Sequence, residues 1–388
     1  MIADNRISGS VANLGVQSHS FAEGLEYTLT GIAERIRRQR ERRQRVAEAL
    51  AGLKGVSFDG VKEIAEPSLA VEVEMDPLVD LTVAGVDGGL LDHQLHGLDL
   101  VLVRAIAVVF KYHNAKLDRA DYLPSEAPPP KLIDVAEPLD AREFELLAGM
   151  ERQLAELEVA ADVARAGVEL LLLDGSVVPQ YVDRFPSNPI LLDRYQRLIG
   201  AYTGLYQACA DSGTLLAGAV KDSRGARLID ILRNKVLPLL DDLGLNQDDL
   251  DVLERSRDTA LLDHLLRVGE RTSAFTYAKK PASYVLGDLG KWGEKVHAFY
   301  MRTVPFDQPL RVEFIDCGDR PAETAQRISS LVYSLSSYHE AFGLPSVLIE
   351  ADVCARLVEE DLGIVRDGIT DRLGPAALQD LRRQRRPF

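Results

Sequence analysis

The sequence predicts an α/β fold, a central mixed β-sheet flanked by helices, preceded by an N-terminal helical arm. Three observations predict it. Two apolar runs, 81–87 and 98–110, are rich in Val, Leu and Ile without alternation, as strands buried on both faces are. Two further apolar runs, 168–174 and 214–220, enclose a helical stretch at 190–211, a strand–helix–strand rhythm that suits a layered fold. Helical patterns then dominate the late sequence.

The elements follow in order. Residues 20–53 read as one long helix that lacks proline and ends near Gly52; its middle, Arg35 to Arg45, is almost solid arginine. Residues 56–78 read as extended or irregular. The strands 81–87 and 98–110 come next, then an exposed loop from Pro124 to Pro130. A strong helix is expected over 140–166, a strand over 168–174, a helix over 190–211 and a strand over 214–220. A helix at 226–242 and an acidic loop precede a mixed region to about 300. "LRVEFIDC", Leu310 to Cys317, alternates like a strand. Helices at 321–342 and about 346–362 close the fold. The chain divides into an arm (1–60), a core domain (80–362) and a basic C-terminal tail (363–388). No repeat of fixed period is present.

Composition narrows the function. The 388 residues carry a formal net charge of −15, which argues against a simple nucleic-acid binder, although a local basic track is compatible with it. Three cysteines without paired spacing read as reduced thiols of a cytoplasmic protein. No signal-peptide pattern and no apolar run of about 18 residues is present, so no membrane span is expected. The G-x-S-x-G elbow of a serine hydrolase and the Walker A loop are both absent.

Two acids stand out. Asp87 follows the run Val83–Val86 and precedes two glycines; Asp174 follows Val168–Leu173 and precedes Gly175-Ser176. Ligand sites of open α/β sheets lie at the carboxyl ends of strands. Either Asp-Gly alone reads more readily as a turn. Two together, each behind a buried strand, would repel unless a cation sat between them, and hard divalent ions take such oxygen ligands. On the helix 140–166, Glu156 heads a small apolar stripe, Val159, Ala160, Val163 and Ala164, and so points along a packed face. Glu158 and Glu151 head wetter or mixed faces and remain alternatives. Asp352 lies on a late helix after Pro345. An acid on a first strand, one on a helix, one on the next strand and one on a late helix is the carboxylate order of a ribonuclease H-like core. Lys221, after the strand 214–220, reads equally as a solvated lysine or a phosphate contact. His93 and His96 lie close in sequence to Asp87 without metal spacing. "GKWGEKVHAFYMR", Gly290 to Arg302, mixes lysines and aromatics and reads more readily as a core helix than as a base-stacking surface.

With these residues in place the chain resembles the NurA nuclease family. The matching pieces are "VAGVDGG" with the "LVRAIAV" strand, "RQLAELEVA", "LLLLDGSVV", "AGAVKDS" and "LPSVLIEADVCARL", in order over roughly 80–360. Family members show "VDGS", "LDGS", a "K-x-S" lysine and a closing "P-x-x-L-x-x-A-[DH]"; Gly89 stands where serine is common. The resemblance implies a ribonuclease H-like core and Mn²⁺-dependent DNA cleavage, with Mg²⁺ a possible substitute. It implies a homodimer and a HerA-like hexameric translocating ATPase as partner in DNA end resection. Asp87, Glu156, Asp174 and Asp352 would hold the metal and Lys221 would meet a phosphate. The expected activity is 5′–3′ exonuclease and single-strand endonuclease action in double-strand break repair. The arginine arm is expected to dock the ATPase rather than hold DNA. Rival readings are an actin- or hexokinase-like ATPase, which needs a duplicated strand meander, and a non-catalytic adaptor.

Overall fold

The computed structural model describes all residues except 1–7, 53, 55–56, 59, 138, 181–187, 241–243 and 375–388. The arm is one helix, α1 (Ser8–Ala51), and a short strand β1 (Ala70–Glu72) follows. The core opens with β2 (Thr82–Gln94), β3 (Asp99–His113), β4 (Lys116–Leu123) and β5 (Lys131–Val135). The charged strands β4 and β5 were not expected. They lie at the sheet's exposed end, where pairing to β3 rather than burial makes them strands.

Helix α2 (Ala141–Ala166) starts at a capping box in which the Asp140 side chain accepts from the Arg142 and Glu143 backbones. Strand β6 (Leu170–Asp174), helix α3 (Pro189–Ser212) and strand β7 (Leu215–Val220) follow as expected. The single helix expected at 226–242 is broken. Helix α4 (Arg227–Ile231) passes into a π turn over Leu232–Val236 and a 3₁₀ turn over Leu237–Leu239, at Pro238, whose ring and missing N–H oppose a regular helix. The acidic stretch beyond holds two helices, α5 (Gln247–Glu254) and α6 (Asp258–Leu265).

Strands β8 (Glu270–Thr272) and β9 (Phe275–Thr276) and helix α7 (Tyr284–Asp288) come next, followed by β10 (Val296–Met301) and β11 (Leu310–Ile315). The stretch Gly290 to Arg302 is thus a 3₁₀ turn and a strand, not a helix. Trp292, Phe299 and Tyr300 are buried, so none offers a ring to a base. Helix α8 (Pro321–Ser336) ends six residues short of the expected boundary at 342. The last helical run is two helices, α9 (Ser346–Ala355) and α10 (Glu359–Leu373); α10 takes in the start of the basic tail, and 375–388 lie outside the described residues.

One eleven-stranded sheet runs β1-β8-β10-β11-β7-β6-β2-β3-β4, with β5 on β3 and β9 on β10. Strands β2, β6 and β7 are parallel, while β3 is antiparallel to β2 and β4 to β3. The order β4-β3-β2-β6-β7, with α2 and α3 in the crossovers, is a ribonuclease H-like core. The remaining strands extend the same sheet, so the second meander of an actin-like ATPase is not found among the described residues. The apolar runs of β2, β3 and β6 are buried because both faces are covered. One cluster packs Ala84, Val86 and Val103 under α2 and α3, and another packs Val83, Ile106 and Leu172 under α8 and α9. No helix among the described residues is long and apolar enough to cross a membrane.

Candidate metal centre

Alternation along β2 decides what meets what. Gly85, Asp87 and Gly89 point to one face, Val86 and Gly88 to the other. On the first face lies α9. A Cβ on Gly85 would sit 2.8 Å from the Val347 carbonyl, and one on Gly89 would collide with the Ala355 carbonyl. Four strand residues span about 13 Å and eight helical ones about 12 Å, so α9 lies along the strand with Asp87 beneath its middle. Asp352 is on that middle turn. On the opposite face, a Cβ on Gly88 would collide with the Glu156 carboxylate.

The expectation that Asp87 ends a strand and that its glycines form a turn is therefore corrected. Strand β2 continues seven residues past Asp87, with no positive φ at Gly88 or Gly89. These glycines are there because a carboxylate and a helix backbone approach the strand on its two faces. At Asp174 the expectation stands: the acid closes β6 and Gly175 turns at φ 133°.

Three carboxylates converge. Asp87, Asp174 and Asp352 each offer an oxygen, all within 4.8 Å of one another, and this is the only such group of three or more metal-ligating side chains among the described residues. His93 and His96 are not part of it. Asp87 is buried and Asp352 exposed, so the group opens outward. Lys221 Nζ donates to Asp174 Oδ2 at 2.5 Å. Glu156 lies beside the trio on the α2 side, its carboxylate accepting from Arg152 at 2.6 Å. Of the alternatives, Glu158 is exposed, and buried Glu151 is held by Arg194 at 2.6 Å and Lys131 at 3.7 Å. A cleft of about 100 Å³ beside the acids is lined by Arg152, Glu156, Asp174, Gln180 and Tyr202.

The electrostatics favour a positive charge at this site. Burial, then the charge of Asp174, pushes the Asp87 carboxyl up to about 7, against a Gly88 N–H that favours its anion. Burial pushes Glu156 to about 8, only partly offset by Arg152. Burial works against the charge of Lys221, but its bond to Asp174 and the other acids prevail and raise it. A set of oxygen donors crowded enough to retain protons near neutrality suits a hard divalent cation.

A consequence is measurable in the metal-free protein. Both folded pKa values exceed the unfolded ones near about 4. Between these limits the folded state binds more protons than the unfolded chain. The stabilisation is complete below about pH 4 and is lost as pH rises through about 7 to 8. In EDTA the melting temperature is expected to fall between about pH 6 and pH 8.5. Saturating divalent cation is expected to remove that fall, and Asp87→Asn to reduce it. A flat profile in EDTA would contradict the crowding.

Sequence reasoning missed a buried network beneath the site. Ser176, two residues past Asp174, donates to Glu313 on β11, which holds Arg311 at 2.7 Å. Arg311 donates to the Tyr300 hydroxyl at 3.0 Å and lies over the rings of Phe275, Tyr277 and Tyr300. Tyr300 in turn meets Ser223, two residues past Lys221, and donates to Asp258. The network ties the loop behind Asp174 to the loop behind Lys221. Only the alternation of "LRVEFI", with charges at every second position, hinted at it. Breaking a buried pair strands the other charge, so Glu313→Ala is expected to cost roughly 3–5 kcal/mol in urea unfolding. Arg311→Met with Glu313→Leu is expected to cost less. An unchanged midpoint in the single variant would show the pair is not under strain of desolvation.

Among solved structures, the NurA nuclease from Sulfolobus solfataricus matches with a TM-score of 0.51 at 16% identity, covering 90% of this chain and 97% of that one. This likeness shows the fold. A NurA structure with manganese aligns at a TM-score of 0.40 and 12% identity, covering 79% of this chain and 91% of that one. One bound to dAMP and manganese aligns at 0.40 and 11%, covering 78% and 90%. No curated protein matches the sequence. The family model of the NurA domain matches residues 81–357, a span that includes Asp87, Glu156, Asp174, Lys221 and Asp352. The chain belongs to the NurA domain family.

Proposed function

We propose that this chain is a metal-dependent DNA nuclease, a phosphodiester hydrolase whose cation is Mn²⁺, with Mg²⁺ as a substitute. The observation that carries the reading is the meeting of Asp87, Asp174 and Asp352, from two strands and a helix, within 4.8 Å of one another. Glu156 completes the donor set from α2. When bound, a divalent cation supplies Lewis acidity toward a phosphodiester and favours ionised water near neutral pH. The chain's own residues do the rest. Asp87 gives up its proton as the cation binds, because the ligand must be anionic. Lys221, held at the mouth by Asp174, is placed to exchange that bond for a phosphate oxygen. Arg152 keeps Glu156 oriented toward Gly88 and lines the cleft that would receive the strand.

In finer terms, the activity combines 5′–3′ exonuclease and single-strand endonuclease cleavage. The protein acts as a homodimer with a HerA-type hexameric ATPase in end resection and double-strand break repair. The family resemblance supports this, as does the absence of a Walker A loop, which leaves ATP hydrolysis to a partner. Toward its free end, α1 exposes Leu25, Leu29, Ile32 and Ile36 at helical spacing, a surface suited to a protein partner.

The test is incubation of end-labelled single- and double-stranded DNA with Mn²⁺, Mg²⁺ or EDTA, with and without the ATPase. Cleavage with Mn²⁺ and none in EDTA is expected. DNA left intact with every cation, in the presence of the ATPase, would overturn the reading.

A further inference from the structure

A basic groove lies away from the acidic metal centre. Helix α1 is exposed on all sides over 24–40 and buried only at its base, where Val46, Ala47 and Leu50 pack among the residues of α5 and α6. Where the helix reaches the body, a groove of about 420 Å³ opens between α1 and α5. Arg35, Arg38, Arg42 and Arg43 face it from one wall and Arg255 from the other, against only two acids, Asp248 and Asp251.

The arginines divide into two sets. Arg42 is bound to Asp248 at 2.9 Å and Arg43 donates to Ser256 at 3.1 Å, so these two fix the arm to the body. Arg38 has only an exposed partner, Glu34, at 3.4 Å on its own helix. Arg35 and Arg255 have no ion pair among the described residues. Three guanidinium groups therefore face a concavity with positive charge in excess, in a chain of net charge −15.

The lining chemistry selects the occupant. Val252 is the only apolar side chain in the groove. A stable protein interface needs an apolar centre, and the exposed apolar residues of the arm, Leu25, Leu29, Ile32 and Ile36, are not part of this lining. Backbone phosphates need only forked donors on both sides. A separate cleft nearby is lined by Arg257, Asp307, Gln308 and the ion pair of Arg302 with Asp263, and Asp307 and Gln308 also line the cleft that holds Lys221.

We infer that, contrary to the ATPase docking expected of the arginine stretch, the groove between α1 and α5 is a phosphate-binding site for the DNA backbone, with Arg35, Arg38 and Arg255 as its contacting side chains. The inference rests on the nuclease reading and adds a site that lies partly outside the matched span 81–357.

The test measures binding without cleavage. The full chain in EDTA is titrated onto a fluorescent DNA duplex between about 50 and about 200 mM salt. The variant Arg35→Gln/Arg38→Gln/Arg255→Gln is expected to flatten the log–log salt slope by about 0.9 per lost contact, about 2.7 in all. The corresponding triple lysine variant is expected to keep most of the slope. Arg37→Gln, whose side chain lies outside the groove and pairs with Glu41, is expected to leave it unchanged. Circular dichroism confirms folding. A wild-type slope in the triple glutamine variant, with cleavage intact in the wild type, would overturn this inference alone and leave the groove to an acidic polypeptide. Absence of DNA binding and of cleavage in the wild type would overturn both readings.

Discussion

Asp87→Asn is expected to lower DNA cleavage by more than about 10³-fold while leaving the metal-free fold as stable as the wild type or more so. The two effects have one cause. Asp87 is buried at 8% exposure, and its anion is disfavoured first by that burial and then by Asp174. Asparagine keeps the shape and the contact with Gly88 but removes the charge that a cation needs. The repulsion in the metal-free site disappears with it. Asp174→Asn is expected to match the loss of activity, and it also releases Lys221 from its 2.5 Å bond. Wild-type cleavage with either variant would remove these acids from the active centre. A loss of activity accompanied by unfolding would make their role structural.

The helix acid gives the second large effect. Glu156→Gln is expected to reduce cleavage by about 10–100-fold, and Glu158→Gln to leave it within about twofold. Glu156 is 15% exposed, bonded to Arg152 and set against Gly88, whereas Glu158 faces solvent. Gly88→Ala is expected to reproduce the Glu156→Gln defect, since its methyl group would occupy the space of that carboxylate. The reverse order for the two glutamates would mean that the other face of α2 serves the site.

The core was legible because burial on both faces leaves a plain mark. The unbroken apolar runs of β2, β3, β6 and β7 could be read directly, and the small stripe behind Glu156 identified the packed face of α2. That Gly88 and Gly89 allow a close approach was legible; that the strand runs on through them was not. An Asp-Gly pair signals a turn locally, and only the approach of α2 and α9, far away in sequence, keeps this one extended. Strands β4 and β5 escaped because their pattern is charged and their stability comes from pairing with β3. Strand β10 escaped because it follows directly on the glycines and lysines of a 3₁₀ turn and its own six residues, VHAFYM, have no clear period. The Arg311–Glu313 network was invisible because its members are spread from Ser176 to Glu313 and meet only in the folded sheet. That Arg42 and Arg43 fix the arm while Arg35 and Arg38 face Arg255 across the groove likewise depends on where α5 lies.

Calorimetric titration of Mn²⁺ into the metal-free protein tests the central claim most directly, comparing the wild type with Asp87→Asn and Asp174→Asn at matched pH. Binding to the wild type is expected to release protons, because Asp87 and Glu156 hold them near neutrality in the absence of metal. Either variant is expected to weaken binding by at least about tenfold and to release fewer protons. Binding of equal affinity and equal proton release in all three proteins would contradict that claim.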